Sequence, residues 1–307
     1  MSTFQRPVDL PNELVQILHV ADVSGLNIPH VADWPYRFSS WGTADPLNTR
    51  AWLDTSSNLL GWVVLQTPFW AIDCVVHPGA PQDLYREMLE WSQVRAAELV
   101  AEGKGRPMWF VSIPTTCLTQ RAALVSLGFK DVSDWGDDSW SKVLFELADD
   151  NWLSPVALPN DLRIRSLDTS SEIQAYVDMH REVFQSESMT YEWRKKATIM
   201  SDYINALDLV ISSEKGELYG FCVAWLRHLA TGETVGQIEP LGVRESHRGQ
   251  KFSRQLMTGA IRRLRELGAS RIFVETDRQR DSAMAAYHSM GFQIAHEVLV
   301  YRHDIPK

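Results

Sequence analysis

Apolar and polar positions in the second half of the chain fall into a strand–helix order. Residues 162–165 read as a short strand and 171–184 as a helix, and a second, polar helix is predicted over 191–206. Strands follow at 207–212, 218–226 and 237–243. The clearest helix is predicted over 252–267. Its apolar residues Phe252, Leu256, Met257, Ala260, Ile261, Leu264 and Leu267 keep helical spacing, and Gly268 stands where a C-cap belongs. A strand at 271–275, a short helix over 282–290 stopped by Gly291, and a last strand at 298–303 complete the order.

The first half echoes the later part of this series. Leu60-Gly61-Trp62 answers Tyr219-Gly220-Phe221, and the strand at 72–76 answers the one ending at Val243. The helix at 84–99 answers the one from Phe252, and the strand at 108–112 answers 271–275. Leu127-Gly128-Phe129 answers Met290-Gly291-Phe292. A shared order of this kind is what an internal duplication leaves. Between the halves, residues 149–161 are rich in turn formers and hold Pro155 and Pro159, which break helix and ladder alike. The expected organisation is a first domain over 1–150, a linker over 151–160 and a second domain over 161–307.

Composition narrows the class. A length of 307 residues suits two domains, and 45% hydrophobic with 22% charged residues is ordinary for a globular protein. The net charge of −9 argues against nucleic acid or an anionic membrane as the main partner. The N-terminal residues lack the apolar core of a secretion signal, and no apolar run approaches the ~20 residues of a membrane span. Cys74, Cys117 and Cys222 are widely spaced and have no metal-ligand spacing, which fits a reduced cytoplasm and no bound metal. Ten of the twelve tryptophans precede Asn160. Core filling and packing between the halves account for them better than an aromatic pocket.

The stretch from Glu239 to Met257 carries the chemistry. It is a strand, a polar turn and a long amphipathic helix. A turn that opens a helix presents unpaired N–H groups and the positive end of the macrodipole, an arrangement suited to phosphate. Arg248 and Lys251 add positive charge, and Gly249 permits close backbone approach. This segment resembles the acyl-CoA-binding motif of the GNAT superfamily: a strand ending in Val, then Arg/Gln-x-x-Gly-x-Gly/Ala at the head of a helix. Farther on, Ala283-Met284-Ala285-Ala286-Tyr287-His288-Ser289-Met290-Gly291-Phe292 resembles the family's closing motif, Ala-x-x-x-Tyr-x-x-x-Gly-Phe. The resemblance covers residues 160–307 well and the first half in outline. The wording Glu239-Pro240-Leu241-Gly242-Val243 is similar to tandem GNAT proteins of the mycothiol-synthase kind. The departures are Lys251 where the family has Gly, Ser253 where it has Gly or Ala, and Arg280 where many members have Asn.

The resemblance implies roles for named residues. The backbone of Leu241, Gly242 and Val243 is expected to pair with the pantetheine arm and to aim an N–H at the thioester carbonyl. Arg248, Gly249, Gln250, Lys251, Phe252 and Ser253 are expected to hold the pyrophosphate, with Arg280 near the cofactor arm. Tyr287 is the expected general acid for the departing thiolate, its phenol having an ordinary pKa of ~10. Glu239 is the expected general base, although a strand carboxylate can also hold a cation. His247 reads as a solvated turn residue. The acceptor side is expected over 183–194. The corresponding first-half loop, His77-Pro78-Gly79-Ala80-Pro81-Gln82-Asp83, has two prolines without N–H, no Arg or Lys, and an acidic Asp83. Leu124 falls where Tyr287 does, so the first half reads as a GNAT fold without cofactor chemistry.

The expected fold is thus mixed α/β, two tandem GNAT-like domains with mostly antiparallel mixed sheets flanked by helices. The expected activity is transfer of an acyl group, acetyl foremost, from acetyl-CoA to a primary amine of a small molecule, with no covalent enzyme intermediate. The chain is expected to be cytoplasmic, either a monomer with pseudo-dimeric halves or a homodimer. A non-catalytic CoA-binding or sensing module and a structural pseudo-enzyme pair remain alternatives at this level.

Overall fold

A computed structural model describes residues 3–25, 30–134, 142–148 and 157–306. The first half runs β1 (Phe4–Arg6), α1 (Leu10–Val23), α2 (Trp34–Phe38), β2 (Thr49–Leu53), β3 (Leu59–Gln66), β4 (Ala71–Val76) and α3 (Leu84–Ala101). It continues through β5 (Met108–Pro114), α4 (Leu118–Ser126), β6 (Lys130–Asp131) and β7 (Lys142–Leu147). The second half runs β8 (Leu162–Ser166), α5 (Ile173–Phe184), α6 (Tyr191–Ala197), β9 (Asp208–Ser213), β10 (Leu218–His228) and β11 (Thr234–Val243). It closes with α7 (Phe252–Glu266), β12 (Arg271–Asp277), α8 (Asp281–Ser289) and β13 (Gln293–Asp304). Residues 151–156 of the expected linker, and Trp135, Trp140 and Trp152, lie outside the described residues.

The fold is mixed α/β, as the sequence implies, but the sheet does not divide between the halves. One sheet runs β1-β2-β3-β4-β5-β13-β7-β12-β11-β10-β9-β8, with β6 pairing β13 to the side. The last strand of each half is exchanged. β7 lies antiparallel to β12, from Ile272↔Leu147 to Asp277↔Lys142, while β13 lies antiparallel to β5, from Val298↔Pro114 to Asp304↔Met108. Each half therefore borrows the strand that completes its sheet. The apolar runs Val143-Leu144-Phe145 in β7 and Val298-Leu299-Val300-Tyr301 in β13 suit strands but say nothing of which neighbour they pair with, and of the two only 298–303 is expected as a strand from the sequence.

Two parallel pairings, each bridged by a helix, open into forks. β11 and β12 pair from Val235↔Arg271 to Ile238↔Val274 and then diverge, with α7 as the crossover. β4 and β5 pair at Ala71↔Phe110, with α3 as the crossover. β3 is buried along nearly its whole length because α1 covers one face and α3 the other. In α7, Phe252, Leu256, Met257, Ala260, Ile261 and Leu264 are buried against β9–β12. Truncating any of its larger buried residues to Ala should cost about 2–5 kcal/mol. Leu267, which the spacing places on the same stripe, lies past the last helical turn and is 42% exposed. Gly268 caps the helix at φ +90°, and Ala269 N–H reaches Leu264 O at 3.0 Å.

The helix predicted over 191–206 ends at Ala197. Trp193, Arg194 and Ala197 face inward, but the stripe stops there, and Ile199 is exposed. Tryptophan serves packing: Trp34, Trp52, Trp62, Trp109, Trp193 and Trp225 are fully buried. Several tie the halves together. Tyr36 packs on Trp193 and Trp225 at 5.3 and 6.3 Å, and Trp193 Nε1 donates to Tyr36 O at 3.1 Å. Gln237 Oε1 accepts the N–H groups of Val31 and Ala32, both at 2.8 Å.

Candidate active site

The end of β11 is shaped by a bulge. Cys222 pairs with Leu241 and Ala224 with Ile238, so Val223 alone faces Glu239 and Pro240. Proline has no N–H for the ladder, and the Glu239–Pro240 peptide is cis. Trp225 Nε1 donates to Glu239 O at 2.8 Å and pins this turn of backbone. Past the bulge, Leu241, Gly242 and Val243 pair with β10 on one side. Among the described residues no strand pairs with them on the β12 side, because β12 has already diverged. Gly242 is required by packing. A Cβ there would lie 2.6 Å from Phe221 Cζ and 2.7 Å from Val183 Cγ1.

A cleft of about 420 Å³ follows this open edge. Leu241, Gly242 and Val243 form one wall, Arg248, Gly249, Lys251, Phe252 and Ser253 the head of α7, and Arg280 and Tyr287 the α8 side. The structure thus gathers nine of the ten expected cofactor residues on one cleft. Gln250 is exposed and lies outside the lining. Gly249 has φ +80° with open space where a Cβ would stand. Lys251 is the N-cap of α7 and sits left-handed at φ 61°. Its position therefore demands the conformation in which glycine is at ease. His247, expected to be a solvated turn residue, stacks on Tyr219 at 4.1 Å and lines the cleft.

Tyr287 and Glu239 meet on a smaller cavity of about 160 Å³, which shares Phe184, Leu241, Arg280 and Tyr287 with the cleft. Tyr287 is 8% exposed and packs on Phe145 and Phe292. Desolvation first, and the charge of Glu239 next, raise its pKa above the ordinary phenol value, so the hydroxyl stays protonated at neutral pH. Desolvation also pushes Glu239 up to about 8, with Asp33 and Glu275 adding to the push and Lys142 and Arg37 opposing it. A proton donor and a carboxyl that titrates near neutrality share one cavity.

Sequence reasoning missed Lys142 and Glu275, which line the same cavity and pair at 2.7 Å. The register offers a signal for Glu275. It directly follows Val274, the partner of Ile238, and so matches Glu239 across the fork. Lys142 had no such signal, because it arrives on the exchanged β7. Of the expected acceptor stretch, Val183 reaches the cleft, and Phe184 reaches both cleft and cavity. Arg194 is instead buried, paired with Asp208 and lying 3.8 Å over the Tyr176 ring.

The other fork opens on a larger cleft, about 570 Å³, lined by Val75, Val76, His77, Pro78, Pro81 and Asp83 among others. Leu124 is fully buried in α4. Size and chemistry therefore part company: Tyr85 and Arg86 of α3 line the larger cleft, but among the described residues it has no basic turn and no phenol at the place of Tyr287.

Residues 173–292, from α5 to just past α8, match the family model described as Acetyltransferase (GNAT) family. This part of the chain belongs to the GNAT family. Among curated proteins, the mycothiol acetyltransferase of Kocuria rhizophila is 24% identical over 156 residues, 48% of this chain and 51% of the relative. That of Corynebacterium aurimucosum is 31% identical over 78 residues, 25% and 26% of the two chains. The matches thus span from a quarter to half of those relatives. Solved structures extend the fold likeness to both halves. A GCN5-related N-acetyltransferase from Sphaerobacter thermophilus aligns over 99% of this chain and 96% of its own, at 14% identity and TM-score 0.63. A tandem GNAT protein from the clavulanic acid biosynthesis pathway aligns over 100% and 99%, at 12% identity and TM-score 0.66.

Proposed function

We propose that this GNAT protein transfers an acetyl group from acetyl-CoA to a primary amine of a small molecule by direct attack. The observation that carries the reading is the single cavity shared by Glu239 and Tyr287, opening onto the cleft at the head of α7. Acetyl-CoA supplies the activated thioester. The groups present fit it: an open strand edge for an extended arm, and a helix start with Arg248 and Lys251 for a pyrophosphate. The N–H groups along the free edge of β11 stabilise charge on the carbonyl oxygen, a contribution of about 3 kcal/mol for one well-aimed donor. Glu239 takes the proton of the amine. Tyr287 gives its proton to the departing thiolate.

In this reading residues 161–307 do the chemistry, completed by β7 from residues 1–150, and the first half binds no cofactor. The curated relatives named mycothiol acetyltransferase favour a small-molecule acceptor over a protein one. Thiol release from acetyl-CoA, followed across polyamines, amino sugars and amino-acid derivatives, tests the proposal. Turnover with at least one amine supports it. Acetyl-CoA binding with no turnover across the panel sinks catalysis in favour of a CoA-binding module.

A further inference from the structure

We propose that Lys142, carried into the acyl-transfer half on the exchanged strand β7, is a positioning residue that pairs with Glu275 and leaves Glu239 to take the acceptor's proton. The inference rests on the reading of Glu239 as base. Its geometry stands independently of that reading. Ile238 and Val274 are the last partners in the β11–β12 ladder, so Glu239 and Glu275 emerge at the same level of the fork and on the same face. Both line the 160 Å³ cavity. Two carboxylates so placed repel, and without a counter-charge they share one proton between them.

Lys142 Nζ lies 2.7 Å from Glu275 Oε1, while Glu275 Oε2 is buried without a hydrogen-bond partner among the described residues. One cation thus neutralises one carboxylate of the two. The remaining charged groups are already committed or lie farther round the site. Arg37 of α2 makes a bidentate pair with Asp73 of β4, at 2.9 and 2.7 Å. Asp33 lies 3.2 Å from His30. Asp277 of β12 and Arg280 line the same cavity, and the phenols of Tyr36, Tyr176 and Tyr287 and the thiol of Cys222 all feel the charge of Glu239. Within this set, Asp33 and Glu275 favour a protonated Glu239, whereas Lys142 and Arg37 favour the ionised form that works as a base. Because Lys142 comes from residues 1–150, the half without the cofactor motif sets the protonation of the base in the other.

The test is the pH profile of kcat/KM in wild type, Lys142→Gln, Lys142→Arg and Glu275→Gln, with one amine throughout so that its own ionisation cancels. Loss of the Lys142 cation should move the ascending limb to higher pH by one unit or more, about a tenfold loss of rate on the acid side, with recovery at high pH. Lys142→Arg should restore the limb. Glu275→Gln should move it the opposite way, because a repelling charge is gone. Side-chain carboxyl titration by NMR, with Glu239→Gln identifying the resonance, reads the same shifts without turnover. It therefore separates failure of this inference from failure of the acyltransferase reading. A limb and a titration that stay in place in Lys142→Gln overturn the proposal, as does a loss of rate uniform across pH. Should Lys142→Gln fail to fold, the direction of the Glu275→Gln shift decides.

Discussion

The two forks of the sheet have the same construction and differ in what stands on it. Each is a parallel pair that opens after a short ladder, bridged by a helix and followed by a cleft. Counting on from the last ladder partners, Ile72 stands where Glu239 does and Val111 where Glu275 does. Leu124 stands where Tyr287 does. Three polar groups at one fork are answered by three apolar ones at the other. The turns differ likewise: Arg248, Gly249 and Lys251 head α7, whereas Pro78, Pro81 and Asp83 lead to α3. A fork opens space and a strand edge, but a base, an acid and an anion seat come from side chains and N–H groups. The first fork has the opening without these groups at the matching positions, and β7 of the first half carries Lys142 to the cavity at the other fork.

The largest expected effect comes from converting the Glu239 fork toward its apolar counterpart. Glu239→Gln should lower kcat at pH 8 by about 10²–10⁴-fold, the usual range for a lost acid–base group, and should abolish the ascending limb near pH 8. The stability consequence has the opposite sign. The folded protein holds the Glu239 proton more tightly than the unfolded chain, whose ordinary value is 4.5, so wild-type stability declines as pH rises from 4.5 through about 8. Glu239→Gln should flatten that decline in melting temperature between pH 5 and 8.5. A variant with wild-type rate and an unchanged decline would remove Glu239 from the site.

Tyr287→Phe comes next. It removes one proton donor and almost no volume from a ring packed on Phe145 and Phe292. The chemical step should slow by roughly 10²-fold while cofactor affinity and melting temperature hold. Preserved turnover would mean that water or another donor protonates the thiolate, and that Leu124 is no deficit at the first fork.

What could be read beforehand follows from what is local. The head of α7, its Gly268 cap, the Tyr287 helix and the basic turn are contiguous patterns, and the structure assembles all but the Gly268 cap, at the far end of α7, on one cleft. The exchange of β7 and β13 is not local. Both strands carry plain apolar runs, and their partners lie more than 100 residues away for β12 with β7 and for β5 with β13. Lys142 was therefore invisible as a site residue, and Glu275 passed for the polar end of a strand. The helix from Tyr191 was overextended because its inward face ends with Ala197, before any glycine or proline marks the stop.

A smaller effect tests the contrast between turns. Arg248→Glu reverses an exposed charge at the head of α7. It should weaken acetyl-CoA binding at least tenfold, about 1.4 kcal/mol, without unfolding the protein. Titration calorimetry on wild type should show one site per chain. An unchanged dissociation constant would move the anion seat elsewhere, and two sites of similar affinity would show that the turn from His77 to Asp83 also serves.

The smallest effect concerns Lys251, where the working turn departs from glycine. Its φ of 61° is the left-handed conformation, which costs a residue with a Cβ about 1–2 kcal/mol. Lys251→Gly removes that cost but gives the unfolded chain more freedom to lose, about 0.4–1 kcal/mol. The two oppose each other, and the first is larger, so the fold should gain up to about 1.6 kcal/mol, visible as a small rise in the denaturant midpoint. Cofactor binding should move the other way, because a cation leaves the head of α7. That loss should shrink as salt is raised, since screening already weakens an exposed charge at 0.1–0.2 M, where the Debye length is about 10 Å or less. If Lys251→Gly binds acetyl-CoA more tightly at every salt concentration, the charge contributes nothing. The lysine would then be a strained residue in a turn built for glycine.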